Sequence, residues 1–168
     1  MERETLEVDV LVVGAGPAGL AFAIQLARSC KEKGIEKAIL VLDKAEELGR
    51  HTLSGAVMDP RGILELFPHA ESEGFPIEAK VTEDALWWFS EKNKRTFKGA
   101  LCPPPFKNHG NWIIHASAMV TWLAEKAEAE GVEVYAGFSA DQILYGDKGE
   151  VIGVRTVDRG VSKSGEQK

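Results

Sequence analysis

The sequence predicts an α/β fold built on a parallel sheet, and three observations carry that prediction. A β-branched run at residues 8–13 is followed at once by the glycine turn Gly14-Ala15-Gly16-Pro17-Ala18-Gly19. Apolar residues then recur at helical spacing, at Leu20, Ala23, Ile24 and Ala27. A second apolar run, 38–42, closes on Asp43. Continuous apolar runs suit parallel strands covered on both faces, and the first run reads as a central one. The 3.6-residue period suits a helix lying against them.

The elements follow in order. Residues 8–13 form the first strand. A helix over 18–33 comes next, with Gly34 as its C-cap. The second strand completes a strand–helix–strand unit over 8–43. Residues 44–111 form an insertion that holds most of the prolines and only short apolar stretches. Within it the pattern predicts a short helix over 60–67. Two strands, 85–90 and 95–100, join through the polar turn 91–94. Trp87 and Trp88 alternate faces there and read as core and edge residues rather than as a membrane belt. Regular pattern returns over 112–158. A helix at 117–130 carries Val120, Leu123, Ala124 and Ala127 on one face and stops at Gly131. A third parallel strand at 132–135 follows, then a hairpin, 140–145 with 151–157, around Gly146-Asp147-Lys148-Gly149.

Composition narrows the function. The chain has 168 residues, 44% of them hydrophobic and 27% charged, as in ordinary globular domains. A net charge of −6 excludes the basic surface that nucleic acid requires. Cys30 and Cys102 stand far apart, in no metal-ligand spacing, so no metal site is read. Residues 10–27 carry no charge, but Gly14, Gly16, Pro17 and Gly19 interrupt them as a strand–turn–helix requires. The start Met1-Glu2-Arg3-Glu4 lacks the cationic flank of a signal peptide, and no Arg-rich transit stretch is visible. The expected setting is bacterial and cytoplasmic.

The glycine turn fits G-x-G-x-x-G in its confirming context, after a strand and opening a helix. Gly14 permits the tight turn, Gly16 lets a pyrophosphate approach the backbone, and Gly19 lets the helix pack on the strand. Pro17 suits the first helical turn, where its missing N–H costs nothing. With Ala15 and Ala18 these residues form the candidate phosphate cradle, where free amides and the helix dipole attract an anion. Asp43 stands where a carboxylate accepts ribose hydroxyls, with Lys44 beside it, and would repel the 2′-phosphate of NADP. The long insertion and the antiparallel excursion favour FAD over a nicotinamide. They place the fold with FAD-binding domains of the glutathione-reductase or hydroxybenzoate-hydroxylase kind, here incomplete and with an antiparallel insertion.

Four stretches also carry a family resemblance: residues 14–20, His51-Thr52-Leu53-Ser54-Gly55, Asn108-His109-Gly110-Asn111-Trp112, and Gly131-Val132-Glu133-Val134-Tyr135. Over residues 8–158 the chain resembles electron transfer flavoprotein–ubiquinone oxidoreductase. The resemblance implies an enzyme that takes electrons from reduced electron transfer flavoprotein and passes them through FAD and a [4Fe–4S] cluster to ubiquinone in the membrane. The cluster cysteines of that family lie in a later ferredoxin-like region, and a late Gly-Asp motif contacts its FAD. Gly146-Asp147, in a hairpin turn, is not that motif. The chain therefore reads as an N-terminal part that does not perform the full reaction alone. Three positions depart from the family pattern: Asp43 where Glu is usual, Arg50 where a small residue is usual, and His115 where Arg is expected.

The loop 48–55 should pass near the flavin, with Thr52, Ser54 and Gly55 as further cofactor contacts. No catalytic residue is assigned, because the flavin supplies the redox chemistry. In the resembled family a segment near 53–67 contacts one membrane leaflet. Leu53, Val57, Met58, Ile63, Leu64, Leu66 and Phe67 are too few to span a bilayer but can lie in its surface. The expected location is the cytoplasmic face of a bacterial inner membrane. Two alternatives stand beside this reading: a related flavin monooxygenase or geranylgeranyl-reductase-like enzyme, and a non-catalytic dinucleotide-binding fragment.

Overall fold

The computed structural model describes residues 4–53 and 55–157. In chain order its elements are β1 (Val10–Val13), α1 (Pro17–Glu32), β2 (Ile39–Leu42), β3 (Ala56–Met58), α2 (Arg61–Leu66), β4 (Ile77–Lys80), β5 (Ala85–Phe89), β6 (Lys94–Lys98), β7 (Trp112–Ile114), α3 (Ala116–Ala129), β8 (Glu133–Tyr135), β9 (Ala140–Tyr145) and β10 (Val151–Thr156). The chain divides into two units. One comprises the residues up to Thr52 and from Val120 onward, and the other runs from Leu53 to Met119.

In the first unit a three-stranded parallel sheet has the order β1-β2-β8. Val10 pairs with Ile39 and Val13 with Leu42, and Leu40–Leu42 pair with Glu133–Tyr135. All four β2 residues are buried, so β2 is the central strand. β1 was expected to be central but lies at the edge of the described sheet. It is half-buried, and Val13 is exposed. Composition alone does not separate the two, because an apolar run marks a strand that can be covered without naming its neighbours.

Both helices bury the faces their spacing predicts. α1 covers Leu20, Ala23, Ile24 and Ala27. α3 covers Val120, Leu123, Ala124 and Ala127, and adds Trp122. Each side chain fully buried this way contributes about 1.5–3 kcal/mol for the larger residues. Both helices also stop in the same way. Gly34 has φ +64 and the Ile35 N–H reaches the Cys30 carbonyl at 2.9 Å. Gly131 has φ +86 and the Val132 N–H reaches the Ala127 carbonyl at 3.1 Å. The left-handed glycine turns the chain back on its last carbonyls, which stay satisfied. After α3, Glu130 accepts Arg28 Nε at 2.8 Å and Lys31 Nζ at 2.7 Å, tying the two helix ends. β9 and β10 form the expected antiparallel hairpin. Among the described residues no helix is long and apolar enough to cross a membrane.

The second unit holds a sheet that the sequence reading did not foresee, with order β3-β7-β4 and both pairings antiparallel. Its strands have three or four residues, too short for an alternating pattern to stand out. Trp112 and Ile114 face the core while Ile113 is exposed. Phe75 packs on Trp112 with ring centroids 5.5 Å apart, and Ile63, Phe67 and Ala70 are buried. The apolar residues of the stretch 53–67 are divided: Ile63 and Phe67 are buried, Met58, Leu64 and Leu66 are half-buried, and Leu53 and Val57 are exposed. Its helix is six residues long, with Ile63 turned inward and Phe67 buried just after it.

β5 and β6 pair only with each other, as a two-stranded hairpin. The expected turn is present, closed by the Ser90 N–H to the Asn93 carbonyl at 2.8 Å. The two tryptophans alternate faces, but neither is a core residue. Trp87 is 53% exposed, and Trp88 and Phe89 are each 67% exposed. Near the root of the hairpin Leu86 and Phe97, which stand opposite each other, are half-buried, whereas the residues toward its tip stay exposed.

Candidate functional site

The glycine turn joins the C-terminal end of β1 to the N-terminus of α1, at the end of the sheet where parallel α/β proteins place ligands. Gly14 has φ +108, which side-chain-bearing residues avoid. Gly16 is the N-cap, with φ −78 and ψ 175, and no side chain caps the helix. Pro17 occupies the first turn. A Cβ added at Gly16 would meet nothing within 4 Å. A Cβ added at Gly19 would collide with the Gly14 carbonyl oxygen and lie 3.3 Å from Val12 Cγ1. The two glycines therefore do different work. Gly19 permits helix–strand contact, while Gly16 leaves the space above the first-turn amides open.

Asp43 follows β2 and faces this turn. Its Oδ2 accepts the Ala15 N–H at 2.8 Å, and its Oδ1 accepts the Ala45 N–H at 2.8 Å. A carboxylate has about four acceptor positions, so each oxygen keeps one for a ligand hydroxyl. The shorter acid, where Glu is usual, still spans from β2 to the turn. Ala15 is buried, Asp43 is half-buried, and Lys44 is exposed.

Sequence reasoning missed a set of backbone supports behind Asp43. The Asp43 N–H donates to the Tyr135 carbonyl at 2.9 Å, and the Phe138 N–H donates to the Asp43 carbonyl at 2.7 Å. The Gly137 N–H donates to the Ala45 carbonyl at 2.6 Å. The end of β8 thus holds the Asp43 loop in place. The only signal for it was the family-like Gly131–Tyr135 stretch, which says nothing of pairing.

Thr52 is half-buried, and its N–H bonds the Gly49 carbonyl at 2.9 Å. Gly55 has φ +81 and lies in the second unit. Ser54 lies outside the described residues. His51 is exposed, and Arg50 reaches Glu46 and Glu47 only at 3.7 and 3.9 Å. His115 stands 3.5 Å from Glu78. The Asn108–Asn111 stretch proves to be a clamp in the second unit. The Asn108 N–H and the Gly110 N–H bond Asp84 Oδ2 at 2.8 Å and the Val81 carbonyl at 2.9 Å, and His109 Nδ1–H bonds the Thr82 carbonyl at 2.9 Å. Among the described residues no cluster of His, Cys, Asp or Glu could hold a metal ion.

A bare helix N-terminus, an open Gly16 and an acid on the next strand define the first unit as Rossmann-like. Residues 12–75 match the family described as NAD(P)-binding Rossmann-like domain. Solved structures show the same fold. A geranylgeranyl bacteriochlorophyll reductase-like protein from Thermoplasma acidophilum aligns with TM-score 0.62 at 20% identity, over 89% of this chain and 34% of that one. The FAD-dependent chondrochloren halogenase of a myxobacterium aligns with TM-score 0.59 at 21% identity, over 96% of this chain and 34% of that one.

Sequence relatives are more specific. The chain is 45% identical to electron transfer flavoprotein-ubiquinone oxidoreductase of Oryza sativa subsp. japonica, over 99% of this chain. It is 44% identical to that of Mus musculus over 100% of this chain, and 41% identical to a probable one of Acinetobacter baylyi over 99%. The chain resembles this family along its whole length, as its motifs indicated. It spans 28%, 27% and 30% of those three relatives.

Proposed function

We propose that this chain is the FAD-binding part of an oxidoreductase that carries electrons from reduced electron transfer flavoprotein to ubiquinone. The observation that carries the reading is the Gly16 cradle, open where a Cβ would go, with the Asp43 carboxylate bonded to the adjoining Ala15 amide. Relatives at 41–45% identity bear that name, whereas the reductase-like and halogenase structures, at 20–21%, share only the fold. This favours the electron-transfer reading over a monooxygenase or a geranylgeranyl-reductase-like enzyme.

The residues fit the cofactor. The amides of Gly16, Ala18 and Gly19 at the start of α1 would face the pyrophosphate, with the helix dipole adding to their attraction. Pro17 has no N–H to offer, which leaves the other amides to make the contacts. Asp43 would accept the adenosine ribose hydroxyls and disfavour a ribose phosphate. Lys44, Thr52, Ser54 and Gly55 are proposed as outer contacts. Bound FAD supplies two-electron and one-electron redox chemistry, so no side chain needs to act as a base. The [4Fe–4S] cluster implied by the resemblance finds no ligand set among the described residues, and we place it outside this chain.

The proposed location is the surface of a bacterial inner membrane, on its cytoplasmic face. Within the second unit, the exposed aromatics of β5–β6 support membrane contact, as do the exposed Leu53 and Val57 of the stretch 53–67. The test of the whole reading is titration of the purified chain with FAD, followed by quenching of flavin fluorescence. Saturable binding at micromolar concentration is expected, with NADP giving none. Absence of binding up to about 100 μM FAD would overturn the FAD reading and favour the non-catalytic fragment.

A further inference from the structure

We propose that hairpin β5–β6 is selective for anionic phospholipid, its aromatic tip entering the headgroup layer while Lys92, Lys94 and Arg95 hold lipid phosphates. The inference rests on the membrane-contact reading above and adds the chemistry of the leaflet.

Charge is the first argument. Residues 85–98 contain four cations, Lys92, Lys94, Arg95 and Lys98, against one acid, Glu91, a net of +3 within a chain of net −6. Lys98 is neutralised by Glu83 at 2.8 Å, at the root of the hairpin. Among the described residues no acid pairs with the other three, which cluster around the turn. An acidic protein thus presents a local basic spot. Such a spot is drawn to an anionic leaflet that repels the rest of the surface.

Register is the second. Trp88 stands directly opposite Arg95, and Phe89 directly opposite Lys94. Each exposed aromatic at the tip therefore shares a face with a cation. Lys94 Nζ also lies 4.4 Å from the Trp87 ring centroid. Trp87 and Phe89 meet edge-to-face, with centroids 6.2 Å apart. Aromatic rings favour the headgroup level, and cations with long stems reach the phosphates from there. Aromatics alone would suit any bilayer, but three aromatics that share their faces with Lys94 and Arg95 suit a charged one.

The tryptophans make the test direct. Trp87 and Trp88 are exposed, while Trp112 and Trp122 are 3% and 7% exposed. The full 168-residue chain is mixed with vesicles of pure phosphatidylcholine, or with vesicles containing 30% phosphatidylglycerol. Co-sedimentation and quenching of tryptophan by brominated lipid are then followed. The expected result is at least about tenfold tighter binding to the phosphatidylglycerol vesicles, weakening steeply with salt, with quenching on insertion. A K92Q/K94Q/R95Q variant should lose that preference while its circular dichroism and melting stay those of the parent. Equal binding to both vesicles, with quenching, would overturn the lipid selectivity and leave membrane contact standing. Binding to neither would overturn both, and would point to a protein partner for the hairpin. Selectivity that persists in the triple variant would place the anionic contact elsewhere.

Discussion

The glycine turn of the first unit and the β5–β6 hairpin of the second use their conspicuous residues in opposite ways. Around the turn, apolar and small residues are consumed internally. Leu20, Ala23 and Ile24 are each 0% exposed, and Gly19 has no room for one further carbon. On the hairpin, three consecutive large side chains, Trp87, Trp88 and Phe89, remain more than half exposed. Packing explains the first set completely and the second not at all. Substitutions should therefore damage the fold in one region and only an external interaction in the other. Gly16 is the instructive exception inside the turn, because its missing side chain borders open space.

The largest expected effect is on ligand affinity. Gly16→Val should reduce FAD affinity at least about 100-fold, roughly 2.7 kcal/mol, with little change in melting temperature. Gly19→Ala should do the reverse, losing about 1–3 kcal/mol of stability by overpacking against Gly14 and Val12, measured by urea unfolding. If both variants behaved alike, the division of work within the turn would be wrong. Asp43→Ala should cost about 1–2 kcal/mol, since it strands the Ala15 and Ala45 amides, and should also weaken FAD binding. Asp43→Asn, which keeps one acceptor oxygen, should fall between parent and alanine variant in both measurements.

A smaller effect is expected at Glu130. Its hydrogen bond from Arg28, and then that from Lys31, hold the carboxyl below the usual glutamate range. Because the folded state lowers this pKa, the stabilisation is complete at neutral pH. It is lost as pH falls below about 4.3 and through the lowered folded value. Glu130→Gln should cost about 1 kcal/mol at pH 7, as expected for a half-buried bridge that solvent still screens. Its stability should converge on the parent's below pH 4 in a series of denaturation curves. Smallest of all, Trp88→Ser should change stability by no more than about 0.5 kcal/mol. A larger loss would show that the hairpin is held by its own aromatics, and would weaken the contrast between the two regions.

Local pattern decided much of this protein. The helical period fixed the buried face of α1 residue by residue and that of α3 except for Trp122, because a helix's own geometry determines which positions share a side. The glycine motif marked the turn, since only glycine accepts φ +108 at residue 14 and the missing Cβ at residue 19. Tertiary structure alone decided which strand lies at the centre, because β1 and β2 are equally apolar and differ only in their neighbours. It alone assembled β3, β7 and β4, whose three or four residues carry too little periodicity to announce a sheet. It also showed that Trp87 and Trp88 stay exposed and that β8 braces Asp43 through backbone bonds. Burial and backbone pairing depend on what the rest of the chain brings alongside, and a side chain's type does not record that.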